Sequence, residues 1–125
     1  MKFEFADSEV AQCTATAQRL ELRFSAARVY EDAKTGSGEG VWMPMLLICE
    51  LSAPLGVGLQ GVGRLGEGCV RIHGQRLRLL PLPFVLNEAH LLELEFANGS
   101  RCVAQGQSLQ IQSLNPQCAV GSFQC

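Results

Sequence analysis

The stretch RLELRF, residues 19–24, decides the fold. Leu20, Leu22 and Phe24 alternate with charged side chains, so the apolar groups share one face and the charges share the other. A period of two is typical of a strand that has one face on a core and the other in water. The same alternation returns in three later stretches, which are CVRIH at 69–73, LLELEF at 91–96 and SLQIQS at 108–113.

Turn residues separate these strands. The pair Asn98-Gly99 predicts a two-residue type I′ hairpin turn, and Gly74-Gln75 predicts a type II′ turn. No stretch of about twelve residues keeps a helical period behind a capping residue. Turn signals about 8–12 residues apart indicate an antiparallel sheet protein. We therefore predict an all-β fold with little or no helix, in which residues 1–125 form a single-domain antiparallel β-sandwich or barrel of about 8–10 strands.

In the stretch RLRLLPLPFVL, residues 76–86, the apolar side chains change from one face of the strand to the other partway along. A bulge near Leu79-Leu80 would restore one continuous core face. Pro81 and Pro83 remove backbone donors from a single edge, because residues two apart point their N–H groups the same way. This pattern predicts an outer strand whose open edge is protected from further pairing.

The stretch GVGLQGVGRLG, residues 56–66, contains the G-x-G-x-x-G spacing of a dinucleotide-binding turn twice. That fingerprint requires a helix that starts at the third glycine and holds the phosphate at its N-terminus. Gly66 and Gly68 fall where this helix would continue, and each interior glycine costs a helix about 1 kcal/mol. We interpret the stretch as glycine-interrupted strands, and we expect no cofactor.

Composition narrows the classes of function. The 125 residues carry a net charge of −2, so there is no general basic field to collect nucleic acid. The N-terminal stretch MKFEFADSEVAQC has acidic residues where a signal peptide needs an unbroken apolar core. No window approaches the roughly 18 apolar residues of a membrane span. We therefore expect a cytoplasmic protein with no nucleic-acid partner and no membrane partner.

Six cysteines raise the question of metal binding or disulfides. None forms a C-x-x-C pair and the sequence has only two histidines, whereas zinc sites usually draw their ligands in close pairs. A reducing compartment also argues against disulfides. We expect no metal site and no disulfide. We interpret Cys49, Cys69 and Cys102 as small core residues, and we expect Cys125 to be an exposed reactive thiol.

Three arginines and a histidine gather in CVRIHGQRLRL, residues 69–79. A turn at Gly74-Gln75 would pair His73 with Arg76, Ile72 with Leu77, and Arg71 with Arg78. Like charges directly opposite each other destabilise a sheet, so something must offset them. One candidate is a ladder with Glu93 and Glu95 of a neighbouring strand. The other is a small anionic ligand, because paired guanidinium groups match phosphate or carboxylate. The candidate ligand-binding residues are Arg71, His73, Arg76 and Arg78.

A second candidate surface lies in GVWMPML, residues 40–46. Trp42 is the only tryptophan, and Met43 and Met45 flank Pro44, which cannot donate to a sheet ladder. Adaptable methionine beside an aromatic is common at partner surfaces. These side chains either cap the core or form a patch for a protein partner or a second copy of the chain. The candidate partner surface is Trp42, Met43 and Met45.

No catalytic motif stands out, because G-x-S-x-G and H-E-x-x-H are both absent from the sequence. The sequence therefore favours a non-catalytic binding or protein-interaction module. Two alternatives stay open. One is an anion- or nucleotide-binding regulatory domain that uses the arginine cluster. The other is a small β-barrel enzyme with no recognisable motif.

Overall fold

The computed structural model describes residues 1–30, 40–55 and 62–114. These residues contain nine strands and no helix, as the alternation predicts. The strands are β1 (Lys2–Ala15), β2 (Arg19–Tyr30), β3 (Gly40–Leu51), β4 (Gly63–Ile72), β5 (Gln75–Leu77), β6 (Leu79–Pro81), β7 (Phe84–Leu86), β8 (His90–Phe96) and β9 (Arg101–Ser113).

Six of the strands close into an antiparallel barrel. Each of β1, β2, β3, β9, β8 and β4 pairs with the next in that order. The ring closes where β4 returns to β1, with Glu9 opposite Arg64 and Val10 opposite Gly63. The sequence left sandwich and barrel as alternatives, and the closing pairs make the fold a barrel. Closure gives these strands neighbours on both sides, which removes open edges.

Three short strands extend the barrel. The strand β5 continues the sheet beside β4, β6 pairs with the start of β1, and β7 pairs with the second half of β9. Two long strands therefore change neighbours along their length. At one end of the barrel β1 lies beside β6 and β9 lies beside β7, whereas at the other end they lie beside β4 and β8.

The inward side chains fill the barrel. The three apolar residues of RLELRF, Leu20, Leu22 and Phe24, are fully buried. Phe3 makes edge-on ring contacts with Phe5 and Phe24, at centroid distances of 4.8 and 5.4 Å. Burial of this apolar surface is the main force that holds the fold together.

A bulge in β1 explains how this strand changes neighbours. Asp7 has a φ of +71°, and the pairing register with β2 shifts between Glu4 and Glu9. The buried Ser8 hydroxyl donates to the carbonyl oxygen of Glu4 at 2.7 Å and accepts the backbone N–H of Arg28 at 2.8 Å. Ser8 thus satisfies backbone groups that the bulge removes from the regular ladder.

Both predicted turns are wrong in detail. The β4–β5 turn consists of His73 and Gly74, with φ angles of +52° and +78°, as a type I′ turn requires. The true pairs are Ile72 with Gln75, Arg71 with Arg76, and Val70 with Leu77. The β8–β9 hairpin is closed by the backbone N–H of Phe96, which donates to the carbonyl oxygen of Ser100 at 2.8 Å. The loop between these two residues is 97–99, and in it Gly99 alone has positive φ. Asn98 instead accepts the N–H of Ser100 through its side-chain oxygen at 2.9 Å.

The predicted bulge near Leu79-Leu80 is also wrong, because the strand is interrupted one residue earlier, at Arg78. Arg78 lies in a bend between β5 and β6, which pair with different strands. Leu80 then lies opposite Phe3 and is fully buried. The expected outer strand is confirmed only in part. Within the described chain β6 pairs with β1 alone and contains Pro81, whereas Pro83 lies in the bend between β6 and β7.

Residues 56–61 of the glycine-rich stretch lie outside the described residues. The residues that follow, from Gly63, form strand β4, whereas a dinucleotide turn would continue into a helix. No helix in the described ranges is long and apolar enough to cross a membrane.

Candidate functional site

A charged cleft lies on the outward face of the sheet formed by β5, β4, β8 and β9. Its volume is about 110 Å³. It is lined by three arginines, three glutamates and four smaller or apolar residues, which are Arg76, Arg78, Arg101, Glu67, Glu93, Glu95, Gly68, Cys69, Leu94 and Val103.

The strand register explains why a cleft forms here. Cys69, Glu93 and Val103 lie directly across from one another on β4, β8 and β9. The neighbouring outward row contains Glu67, Glu95 and Arg101. Cys69 and Val103 are short, so the surface is low between the long charged side chains that border them.

The charges of the cleft are only partly paired. Arg71 Nε lies 3.9 Å from Glu93 Oε1. Arg76, Arg78 and Arg101 form no ion pair with any residue in the described ranges. The four-charge arginine–glutamate ladder that the sequence suggested is therefore reduced to one long contact.

Two like-charged pairs lie at different positions along β4. Arg71 is directly opposite Arg76 on β5, and Glu67 is directly opposite Glu95 on β8. Such pairs are unfavourable in a sheet unless other charges or a ligand offset them.

The Cys69 thiol lies inside the cleft. Its Sγ is 3.4 Å from Glu93 Oε1, to which it donates a hydrogen bond. Burial raises the pKa of Cys69, as do the hydrogen bond and the charge of Glu93, while Arg76 and Arg78 act in the opposite direction. Cys69 is thus a protonated, hydrogen-bonded thiol on the outward face. It is buried, as expected, but by its charged neighbours rather than by the barrel core.

His73 does not join the cleft. It occupies the β4–β5 turn, where its Nε2 lies 2.7 Å from Glu88 Oε1, and both side chains are exposed. Of the predicted ligand-binding residues, Arg76 and Arg78 line the cleft, Arg71 borders it through Glu93, and His73 points to a different neighbour.

A second outward surface, which we call the Trp42 face, crosses four strands at the opposite side of the barrel. It is the row Leu79, Glu4, Arg28 and Trp42, contributed by β6, β1, β2 and β3, in which each residue lies directly opposite the next. Trp42 is 53% exposed and Leu79 is 44% exposed, so the row has an apolar group at each end and charges between them.

Arg28 organises this face. Its guanidinium carbon lies 5.4 Å from the centre of the Trp42 ring and 5.2 Å from that of Tyr30. Its Nη1 lies 3.1 Å from Asp7 Oδ2, and its Nε lies 3.9 Å from Glu4 Oε1. Tyr30 donates its hydroxyl hydrogen to Glu4 at 2.8 Å, which raises the pKa of Tyr30. Trp42 is therefore exposed, with its ring in a cation–π contact with Arg28.

The structure separates the members of the predicted partner surface. Trp42 lies on the outside, Met43 is half-buried against the core, and Met45 is 2% exposed within the core. Met45 is therefore unavailable to a partner. The alternation along β3 accounts for this, because Met43 and Met45 point inward while Trp42 points outward.

A histidine–cysteine pair inside the barrel was missed by the sequence analysis. His90 Nδ1 lies 2.8 Å from the carbonyl oxygen of Glu88, which can only accept, so Nδ1 carries the proton. His90 Nε2 lies 3.8 Å from Cys49 Sγ. The alternation along β8 could have predicted a buried histidine, because His90 lies on the same face as Leu92 and Leu94.

This interior pair is not an activated nucleophile. Burial raises the pKa of Cys49 to about 11, with a further contribution from the charge of Glu50. A catalytic cysteine needs a lowered pKa, so at neutral pH Cys49 is a protonated core thiol. Cys102 is likewise buried, as expected, whereas Cys125 lies outside the described residues.

Metal ligands do not cluster in the described part of the chain, where no group of three or more His, Cys, Asp or Glu side chains could hold an ion. Comparison of the sequence and structure with protein families, curated proteins and solved structures finds no match. The charged cleft and the Trp42 face are therefore the features from which function can be inferred.

Proposed function

We propose that this protein is an interaction module that pairs with a second copy of itself through the Trp42 face. One observation carries the proposal, which is the order of the residues in that row: apolar, acidic, basic, apolar. This order is complementary to its own reverse. A two-fold axis parallel to the strands would bring Leu79 of one copy onto Trp42 of the other, and Glu4 onto Arg28.

The composition of the face supports an interface. Tryptophan, tyrosine and arginine are the side chains most often responsible for binding energy at protein interfaces, and here the three are stacked together. The contact with Arg28 favours one orientation of the Trp42 ring, which would reduce the side-chain entropy that association costs. The row spans only four strands, about 14 Å, so we expect a weak dimer.

Sedimentation velocity over a range of protein concentrations tests the proposal. We expect a shift from monomer to dimer between about 1 µM and about 1 mM, and we expect Trp42→Ala to abolish it. Val85→Ala is the matched control, because Val85 is a more exposed apolar residue on β7. A monomer at every concentration would refute the proposal, as would dimerisation that survives Trp42→Ala.

Fluorescence provides a second reading of the same equilibrium. Trp42 is the only tryptophan, so its emission reports on this face alone. We expect the emission maximum to move to shorter wavelength as concentration rises, because the ring leaves water when the dimer forms. An emission maximum that stays constant while dimers form would place the interface elsewhere.

Charge exchange tests the two-fold arrangement. Glu4→Arg and Arg28→Glu should each prevent self-association, because like charges would face each other. An equal mixture of the two variants should form a heterodimer, since each positive pair would then face a negative pair. If either variant fails to fold, Glu4→Gln and Arg28→Gln replace them, and each should weaken self-association because it removes the attraction between the facing charges. A mixture that remains monomeric would exclude this arrangement.

The charged cleft supports a second candidate function, a regulatory domain that binds a small ligand with an anionic group. The supporting observation is that Arg76 and Arg78 line a cleft and lack ion-pair partners in the described chain. Guanidinium groups bind phosphate and carboxylate with two parallel hydrogen bonds. Thermal stabilisation by phosphate, sulfate or nucleotides at low salt tests it, and a flat response to all of them would count against an anion site.

The cytoplasm remains the compartment that we propose. The four described cysteines, Cys13, Cys49, Cys69 and Cys102, are all free thiols, which fits a reducing environment. Cell fractionation with detection of the native protein tests this assignment. Recovery of the protein from an oxidising compartment would overturn it.

A further inference from the structure

The charged cleft has both signs of charge in equal number. Three arginines and three glutamates line it. A purely anionic ligand drawn by Arg76 and Arg78 would also meet the carboxylates of Glu67, Glu93 and Glu95. Within one small cleft, the repulsion between the ligand and these carboxylates is comparable with its attraction to the arginines, so a simple anion gains little from this surface.

One end of the cleft is richer in carboxylates and the other is richer in guanidinium groups. Arg101 lies directly opposite Glu95 at the acidic end, and Glu93 lies beside Arg71 at the basic end. The carboxylates of Glu67 and Glu95 start from directly opposite positions on β4 and β8. Arg71 lies four residues beyond Glu67 along β4, and Arg76 lies directly opposite it on β5. Four residues of a strand span about 13 Å between Cα atoms, and the long side chains shorten the distance between the charged groups.

We propose that the cleft binds a small zwitterion, a molecule with a carboxylate or phosphate at one end and an ammonium group at the other. The proposal rests on the ligand-binding candidate function and defines its ligand class. Arg76 and Arg78 bind the anionic end, and Glu67 and Glu95 bind the ammonium. The ammonium group then relieves the repulsion between Glu67 and Glu95, which lie directly opposite each other. The anionic end relieves the repulsion between Arg76 and Arg71, which form the other directly opposite pair.

The middle of the cleft suits an uncharged spacer. Cys69 and Val103 are short and lie on either side of Glu93. The carboxylate of Glu93 already accepts the hydrogen of the Cys69 thiol and faces Arg71. The spacer is therefore a chain of a few methylene groups or a short peptide backbone. Free amino-acid derivatives and phospholipid headgroups both offer this chemistry, and the ligands chosen for the test separate them.

Calorimetric titration at low salt tests the ligand class. The zwitterions are 6-aminohexanoate and phosphoethanolamine, and the singly charged controls are hexanoate, hexylamine and inorganic phosphate. We expect saturable binding of a zwitterion and at least about tenfold weaker binding of every control. Binding of 6-aminohexanoate alone would indicate an amino-acid-like ligand, and binding of phosphoethanolamine alone would indicate a headgroup.

Other outcomes overturn the inference. Phosphate binding as tight as zwitterion binding would leave a simple anion site, so the candidate function would stand while the inference fell. If none of the five compounds binds, both the candidate function and the inference are refuted. The two failures are therefore distinguishable in one set of titrations.

Single substitutions test both ends of the site. Arg78→Gln and Glu67→Gln should each weaken zwitterion binding about tenfold. Glu67→Gln should at the same time strengthen phosphate binding, because it removes a repelling carboxylate, and a merely structural role would not produce this reversal. Arg23→Gln on β2 and Glu9→Gln on β1 are the matched controls, since neither residue lines the cleft. Equal effects of the control and cleft variants would refute the assignment.

Discussion

Gly106 shows how tightly single residues are constrained inside this barrel. It lies in β9, beneath the interior histidine–cysteine pair. A Cβ atom at this position would lie 2.6 Å from both Cys49 Sγ and His90 Nε2. The absence of a side chain at Gly106 therefore makes room for a buried imidazole, which keeps its hydrogen bond to the Glu88 carbonyl.

Gly106→Ala should lower the free energy of unfolding by about 1–3 kcal/mol, because Cys49 and His90 must move to accept the methyl group. Gly66→Ala is the matched control, since its Cβ would meet only the carbonyl oxygen of Glu95, at 3.6 Å. We expect Gly66→Ala to change stability by less than about 0.5 kcal/mol. Urea denaturation of the two variants checks this, and equal losses would contradict it.

The two core thiols predict a loss of stability in alkali. Burial raises the pKa of Cys49 and of Cys102 to about 11, whereas a thiol in the unfolded chain titrates near 9.0. Between these values the folded state binds more protons than the unfolded state. The contribution to stability is therefore complete below about pH 9 and is lost as the pH rises towards about 11.

Urea denaturation at several values between about pH 8 and about pH 10.5 measures this slope. The double variant Cys49→Ala, Cys102→Ala should lose stability less steeply with rising pH, although it starts from a lower value. The two proteins differ only at positions 49 and 102, so the difference in slope isolates these two thiols. Parallel slopes would mean that the two thiols titrate normally.

The burial of an individual residue was predictable where the alternation along its own strand determined which face it occupies. Alternation alone placed Leu20, Leu22 and Phe24 in the core. Cys69 was different, because it shares the outward phase of Arg71 and is buried only by charged side chains of neighbouring strands. Such burial depends on which strands become neighbours, and a single stretch of sequence does not contain that information.

At the scale of elements, the β4–β5 hairpin shows what fixes a register. Glycine at position 74 was compatible with either of two turns. The chain adopts the one in which His73 also takes positive φ. This moves the turn by one residue and changes the partner of each β4 residue by two positions. The shift places Arg71 opposite Arg76 rather than opposite Arg78, and leaves Arg78 in the bend that lines the cleft.

The hairpin allows a test of backbone strain. Asparagine adopts positive φ more readily than histidine, and Asn-Gly is the preferred type I′ pair, so His73→Asn should raise the free energy of unfolding by about 0.5 kcal/mol. The exposed contact with Glu88 that is lost contributes little. Gly74→Ala should lower the free energy by about 1 kcal/mol, because φ there is +78°. Thermal denaturation of both variants measures the difference, and the opposite order would show that a different turn forms.

The β8–β9 loop shows the limit of turn statistics. Asn98-Gly99 is the preferred pair for a two-residue turn, yet the loop has three residues. The Asn98 side chain bonds the Ser100 backbone and hydroxyl, at 2.9 and 2.7 Å, which stabilises the longer loop. Local side-chain hydrogen bonds of this kind compete with the turn that the residue pair alone would favour.

At the scale of the whole molecule, the all-β architecture followed from alternation, but the closed barrel did not. Closure depends on Glu9 and Val10 meeting Arg64 and Gly63, residues more than fifty positions away in the sequence. The charged cleft depends on the same long-range order, because β4, β8 and β9 supply its walls from separate parts of the chain. The hairpin pattern identified Arg76 and Arg78 and suggested Glu93 and Glu95 as their neighbours, whereas only the topology shows that Glu67 and Arg101 line the same cleft.

Unequal pairing predicts unequal stability across the fold. In the described chain β5, β6 and β7 are three residues long and each pairs with a single neighbour, whereas β3 and β8 pair on both sides. Local opening is easiest where few contacts must break. Amides of residues 75–86 should therefore exchange with solvent faster than those of residues 45–51 in hydrogen-exchange mass spectrometry. Equal protection would mean that the short strands and the barrel open together.

The change of neighbours along β1 has a consequence for biosynthesis. This strand pairs with β2, which follows it directly, but also with β4 near residue 63 and with β6 near residue 80. On the ribosome, β1 therefore emerges well before β4 and β6, two of the three neighbours that the described residues give it, have been translated, and its phenylalanines are still uncovered. Only the β1–β2–β3 meander can form early, and the barrel must wait for most of the chain to be made.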